Sequence, residues 1–272
     1  MIFFAAKEKT EDLFYQAMSF MAKKQPKAAI PLFKKIAKQD PKNTDALYNH
    51  GIALNQLKKY QDAITCFDKV LDIDPKYIAA INNRGISLAE MGNTDDALEY
   101  YNKAIEINPK YAEAHYNKGV LYDRLLQHED ALQSLDEALK CDSGKINAAF
   151  YRGIVLGKLK KHEEALNCFE NICRKYPKHM HAFFQKGMAL AELGRHDKAL
   201  AIFDKLLELD EGNVNVIYAM ARSNAVMGNT GRALYLLEQA IKKARKTIKK
   251  WAMEDEFFDS LQDEPKFSKL IK

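Results

Sequence analysis

Apolar and small residues recur along this chain at helical spacing, and the arrangement itself repeats. Leu47, Gly51 and Leu54 stand at i, i+4 and i+7, one face of a 3.6-residue helix. A polar break, LKKYQD, follows, and then Ala63, Phe67 and Val70 repeat the same spacing. The break reads as a helix stop followed by an N-cap, and Pro75 ends the second helix because proline cannot continue the hydrogen-bond ladder. The pattern returns every 34 residues: Gly51, Gly85, Gly119, Gly153 and Gly187 mark one register, flanked by Ala17 and Ala221. A second register holds alanine seven times, from Ala29 to Ala233. A third is bulky, running Phe33, Phe67, Tyr101, Leu135, Phe169, Phe203 and Leu237. With the glycine register set as position 8, the units are 10–43, 44–77, 78–111, 112–145, 146–179, 180–213 and 214–247. Each predicts two helices, and no strand alternation occurs. Small residues at positions 8 and 20 let two helices cross closely, while bulky ones at 4, 11 and 24 fill the space beside them.

The period, the small residue at 8, the alanine at 20, the bulky residue at 24 and the proline at 32 resemble the tetratricopeptide repeat (TPR) family over about nine-tenths of the chain. The resemblance implies an all-α, right-handed superhelical solenoid of seven helix pairs, the first helix of each pair lining a concave groove. Departures are local: His115 and Ala149 at position 4, Pro31 inside the second helix of the first unit, and Asn224 where a bulky residue is usual. Residues 1–9 read as a lead-in. Residues 248–272, with Trp251, Phe257, Phe258, Leu261, Phe267 and Leu270 at helix-like spacing broken at Pro265, read as capping helices that close the array.

A single pair cannot bury its own apolar face, so the repeats explain stability. Function must lie in what varies between copies. With ~100° per residue, position 6 points about 190° from the core direction. It carries Asn49, Asn83, Asn117, Tyr151 and Gln185 in successive units. Position 5 beside it carries Tyr48, Tyr116, Phe150 and Phe184. An amide offers both donor and acceptor, so such a ladder suits the backbone of an extended peptide, with the aromatic strip holding apolar side chains. The alternative is that these amides only solvate the helix or bond a neighbour. Position 7 is basic in four units, Arg84, Lys118, Arg152 and Lys186. These are candidate anion contacts, but at ~65° from the core face such residues more naturally lay their stems along the helix flank. Chaperone-binding members of the family clamp a C-terminal carboxylate with lysine at 5, asparagine at 9 and 6, and lysine and arginine at 2 and 6. Positions 2 and 5 carry no lysine here and position 9 no asparagine, so only Asn49, Asn83 and Asn117 fit one element and a chaperone tail is disfavoured as partner.

Composition changes this picture little. The chain has 272 residues, 47% apolar and 29% charged, with 42 basic and 37 acidic side chains and a net charge of +5. That excess is too small to argue for nucleic acid without a local patch. The densest one, KKARKTIKK at 242–250, is followed by acidic residues at 254–256 and also suits a helix C-terminus. No apolar run spans a membrane, and MIFFAAKEKTED lacks the basic start and cleavage site of a secretory signal. Cys66, Cys141, Cys168 and Cys173 form no CxxC pair and fit a reducing compartment, so a cytoplasmic location is expected. His128, His162 and His196 share position 17, but stacked units hold them too far apart for one metal ion. His179 and His181 lack a third ligand. No catalytic constellation or cofactor motif occurs. The reading is a non-enzymatic scaffold that takes a protein or peptide partner in the groove. A nucleic-acid adaptor using 242–250 and an accessory module for an enzyme on another chain remain the alternatives.

Overall fold

The helix starts fall at the same two places in every 34-residue period. A computed structural model describes residues 9–272, and every regular element among them is helical. The lead-in, apart from Lys9, lies outside the described residues. The chain divides into two compact units, the first ending at Gly144 and the second beginning at Lys145. The first holds four helix pairs: α1 (Thr10–Ala22) with α2 (Pro26–Gln39), α3 (Thr44–Gln56) with α4 (Tyr60–Ile73), α5 (Ile78–Glu90) with α6 (Thr94–Ile107), and α7 (Ala112–Arg124) with α8 (His128–Cys141). The second holds three pairs: α9 (Ile146–Lys158) with α10 (His162–Lys175), α11 (Met180–Glu192) with α12 (His196–Leu209), and α13 (Val214–Val226) with α14 (Thr230–Lys243). It ends in α15 (Arg245–Glu254), a 3-10 turn (Glu256–Leu261) and α16 (Pro265–Ile271). Pro31 does not interrupt α2.

The close crossing inside each pair has a direct cause. In the five pairs with glycine at position 8, the bulky residue at position 24 of the same pair packs directly against it. A Cβ built on Gly51 would stand 2.5 Å from Phe67 Cε1, and one on Gly153 would stand 2.7 Å from Phe169 Cε1 and Cζ. Carbon atoms prefer about 3.5–4.0 Å, so glycine here makes room for the ring. The alanines at position 20 and the bulky residues at position 24 are all buried.

Both breaks have their own chemistry. After the first helix, position 15 takes a left-handed conformation: Lys24, Lys58, Gly92, Leu126, Lys160, Gly194 and Gly228 all have φ between 56° and 87°. The next residue donates its N–H to the carbonyl of position 11, as in Lys161 N to Leu156 O at 2.9 Å. This is a Schellman stop, which satisfies carbonyls that the helix end leaves free. After the second helix of five pairs, an acidic or amide residue at position 31 accepts from the backbone two residues on. Asp74 Oδ1 accepts from Lys76 N at 3.0 Å and Asn108 Oδ1 from Lys110 N at 3.0 Å. Such Asx turns favour a chain reversal beside the proline. Asn43, His179 and Asn213 then cap the following helices with their side chains.

The C-terminal segment covers the last pair. Phe258, Leu261 and Phe267 are fully or almost fully buried, and the rings of Phe258 and Phe267 lie 5.7 Å apart. A terminal pair would otherwise leave its apolar side open to water.

Candidate functional site

The first helix of each pair places positions 5, 6 and 7 in a row, and the structure ties these rows between neighbouring pairs. In the first unit, Asn49 Nδ2 donates to Asp45 O at 2.8 Å, one turn back in α3. Asn83 Nδ2 donates to Ala79 O at 2.8 Å and to Tyr48 Oη at 3.0 Å, so it bridges α5 to α3. Asn117 Nδ2 donates to Asn82 Oδ1 at 2.9 Å, bridging α7 to α5. A backbone carbonyl only accepts, which fixes the orientation of the Asn49 and Asn83 amides. No bond within the described residues engages the Oδ1 atoms of Asn49, Asn83 or Asn117. All three side chains are half-buried.

The aromatic residues of position 5 lean inward as well as outward. The Tyr48 ring lies 6.0 Å from Phe67 and 5.4 Å from Tyr77. Burial is the first cause that raises the pKa of its hydroxyl. Tyr116 is half-buried at the same place in α7. In the second unit, Phe150 lies 5.7 Å from Phe169 and 5.4 Å from His179, while Phe184 lies 5.9 Å from Phe203. Each ring thus shares its area between the core and the surface of its helix. Tyr151 and Gln185 occupy position 6 there, both half-buried.

The basic residues of position 7 reach along the helix flank. Arg84 Nε sits 2.6 Å from Asp68 Oδ1, on the second helix of the preceding pair, and its guanidinium lies 4.2 Å from the centre of the Tyr100 ring. Lys118 donates to Asn102 Oδ1 at 2.8 Å, and Lys186 pairs with Glu170 at 3.0 Å, both on the preceding pair. Arg152 Nη1 contacts Cys168 Sγ at 3.1 Å within its own pair. At position 7 of the second pair stands His50, whose Nδ1 is 3.4 Å from Cys66 Sγ. Burial holds this imidazole down to about 4 and pushes the thiol up to about 11, so both are neutral at pH 7. That is the environment of a packed thiol, not a reactive one.

Other candidates resolve into local contacts. His128 Nδ1 is 3.1 Å from Asp123 Oδ1. His179 Nδ1 accepts from Ala182 N at 3.0 Å as a helix cap, and its ring centre is 6.5 Å from that of His181. Among the described residues, no group of three or more histidine, cysteine or acidic side chains converges on a metal position. None of their helices is long and apolar enough to cross a membrane. In the basic segment, Lys242 pairs with Glu238 at 2.9 Å.

One polar cluster at the C-terminal end was not singled out from sequence. Asp255 Oδ2 accepts from Tyr218 Oη at 2.7 Å and stands 2.8 Å from Arg222 Nε. Arg222 also reaches Glu192 Oε1 at 3.2 Å and lies 4.0 Å from the centre of the Phe257 ring. Arg222 replaces the aliphatic residue of position 9 in the pair beside the C-terminal segment, and that replacement was the available signal.

Comparison with known proteins agrees with the fold of stacked helix pairs. Models of the tetratricopeptide repeat match residues 43–110, 82–146, 152–214 and 190–253. A model described as anaphase-promoting complex, cyclosome, subunit 3 matches residues 2–70. No curated protein matches the sequence. Among solved structures, a tetratricopeptide repeat protein from Parabacteroides merdae ATCC 43184 is 22% identical, covering 92% of this chain and 98% of its own, with a TM-score of 0.62. YrrB, a TPR protein with an unusual peptide-binding site, is 26% identical over 69% of this chain and 97% of its own, with a TM-score of 0.59. MamA from Desulfovibrio magneticus RS-1 is 25% identical over 64% of this chain and 99% of its own, with a TM-score of 0.52.

Proposed function

The chain belongs to the tetratricopeptide repeat family, and from that premise we propose that it is a non-enzymatic scaffold holding an extended peptide of a protein partner along its first helices. The observation that carries this reading is the row of amide acceptors. Asn49, Asn83 and Asn117 spend their N–H groups inside the chain and keep Oδ1 unengaged. A peptide backbone offers one N–H per residue, which these acceptors match. The half-buried rings of Tyr48 and Tyr116 supply apolar area beside them, and in the second unit Tyr151 and Gln185 form the corresponding polar positions beside Phe150 and Phe184. The peptide-binding site of YrrB supports the class of partner. Arg84, Lys118, Arg152 and Lys186 act mainly as flank contacts between or within pairs, so the anion role is secondary.

The test replaces Asn49, Asn83 and Asn117 by alanine and measures affinity for a peptide selected against the native chain. Three acceptor bonds at ~0.5–1.5 kcal/mol each give a roughly tenfold to thousandfold loss. Asn83 and Asn117 also bridge neighbouring helices, so binding is compared well below the melting temperature of each variant. Full affinity in the triple variant would remove the amide ladder from the account.

A further inference from the structure

The second unit contains a cavity of about 420 Å³ between α9 and α11, with Gly157, Lys160, His162, Gln185, Met188 and Glu192 at its wall. The corresponding place between α5 and α7 in the first unit holds only about 60 Å³. There Ala89 occupies the register of Gly157, and the Glu90 and Arg124 side chains pair across the opening at 2.5 Å. A Cβ built on Gly157 would meet nothing within 4 Å, so the backbone of α9 borders open space.

The repeat itself indicates what that space is missing. Gly157 and His162 stand 34 residues after Asp123 and His128. In the earlier pair, Asp123 sends a carboxylate to its histidine, Oδ1 to Nδ1 at 3.1 Å. In the later pair the histidine remains but the carboxylate is replaced by a hydrogen atom. His162 makes no hydrogen bond within the described residues. Lys160 adds a positive charge at the wall, while Glu192 is already paired with Arg222. A cavity with an unused imidazole and a lysine, lacking the carboxylate its homologous position carries, is complementary to an anion of carboxylate shape.

We propose that this cavity receives an aspartate or glutamate side chain of the bound peptide, which takes the place against His162 that Asp123 takes against His128. The inference rests on the groove reading and deepens it, because Gln185 of the polar row lines the cavity. It gives the partner a chemical requirement: one acidic residue in fixed register with the stretch of backbone that lies along Gln185. Ile154 and Met188 beside the opening accept the methylenes of that side chain, which favours glutamate over aspartate.

The experiment uses the full chain and positional-scanning dodecapeptide pools, each with one fixed residue. Pools fixed as glutamate should bind about tenfold tighter than the matching glutamine pools at one register, the lower end for a hydrogen bond to a charged group. Gly157→Asp supplies the carboxylate internally and should abolish that preference while neutral pools still bind. Equal binding of glutamate and glutamine pools, or a preference that Gly157→Asp retains, overturns the proposal and leaves the groove reading intact. If no pool binds, the groove reading fails, and free glutarate becomes the second probe. Saturable shifts of the His162 ring resonances with glutarate, absent in Gly157→Asp, would then uphold the cavity, and no shift would overturn it.

Discussion

Two glycines one turn apart in α9 separate packing from backbone propensity. Gly153 and Gly157 both become alanine, each in a separate variant. At either place alanine favours the helix over glycine by about 0.8–1.0 kcal/mol, somewhat less near the helix end. At Gly157 the new methyl touches nothing within 4 Å, so only this gain operates. At Gly153 it would lie 2.7 Å from two carbons of Phe169, roughly 1 Å inside their preferred separation. Phe169 is 2% exposed and packs on Phe150, so its ring cannot swing into solvent. Overpacking of this kind costs about 1–3 kcal/mol, which offsets the propensity gain and leaves a net loss of up to about 2. Thermal and urea unfolding followed by circular dichroism should place Gly157→Ala about 2–4 °C above the native chain and Gly153→Ala up to about 8 °C below it. Ala17 and Ala221 show that some pairs accept a methyl at position 8, so the size of the loss reports how tightly α9 and α10 cross. Equal shifts of the same sign would refute the argument that the ring at position 24 sets the crossing.

Three further outcomes follow from local chemistry. Leu126 is 78% exposed at a left-handed φ of 61°, so Leu126→Gly should stabilise the chain by about 0.5–1 kcal/mol in urea, with Gly92, which already has glycine in that register, as the reference. Burial depresses the pKa of His50 to about 4, so the unfolded chain takes up a proton first. Stability is full above about pH 6.5 and falls as the pH drops toward 4, by roughly 1–2 kcal/mol after solvent screening, and His50→Met should lose this component of the pH profile of Tm. Asp255→Ala strips Arg222 of its carboxylate partner in the C-terminal cluster and leaves Glu192 and the Phe257 ring, at a cost of about 2–3 kcal/mol, which hydrogen exchange should register as loss of protection in residues 256–271.

The helix pairs were legible in the sequence because their cause is periodic. Position 8 is small and position 24 bulky in every copy, position 32 is proline in four of the seven, and seven copies average out the exceptions. Pro31 and Asn224 broke the pattern without breaking a helix, since the neighbouring residues still specify the pair. The surface rows were legible only in part. A helical wheel places Asn83 opposite the core of its own pair, but it carries no information about Tyr48, 35 residues earlier, to which Asn83 donates. Arg84 likewise finds Asp68 on the preceding pair, a partner set by stacking. The left-handed stops at Lys24, Lys58, Leu126 and Lys160 were hidden because residues other than glycine hold them. The hollow beside Gly157 was hidden for a related reason: a glycine outside the repeated register reads as noise until the missing side chain has neighbours to be compared with.

A peptide lying along the first helices would cover the aromatic residues of position 5. Oxidative footprinting of the full chain with a peptide selected against it tests this most directly, because tyrosine, phenylalanine, tryptophan and methionine report on both surfaces. Protection is expected at Tyr48, Tyr116, Phe150 and Phe184, with Tyr235 of α14, which is exposed on a second helix, oxidised as before. Protection of Tyr235 with no change at the four aromatic residues of position 5 would contradict it.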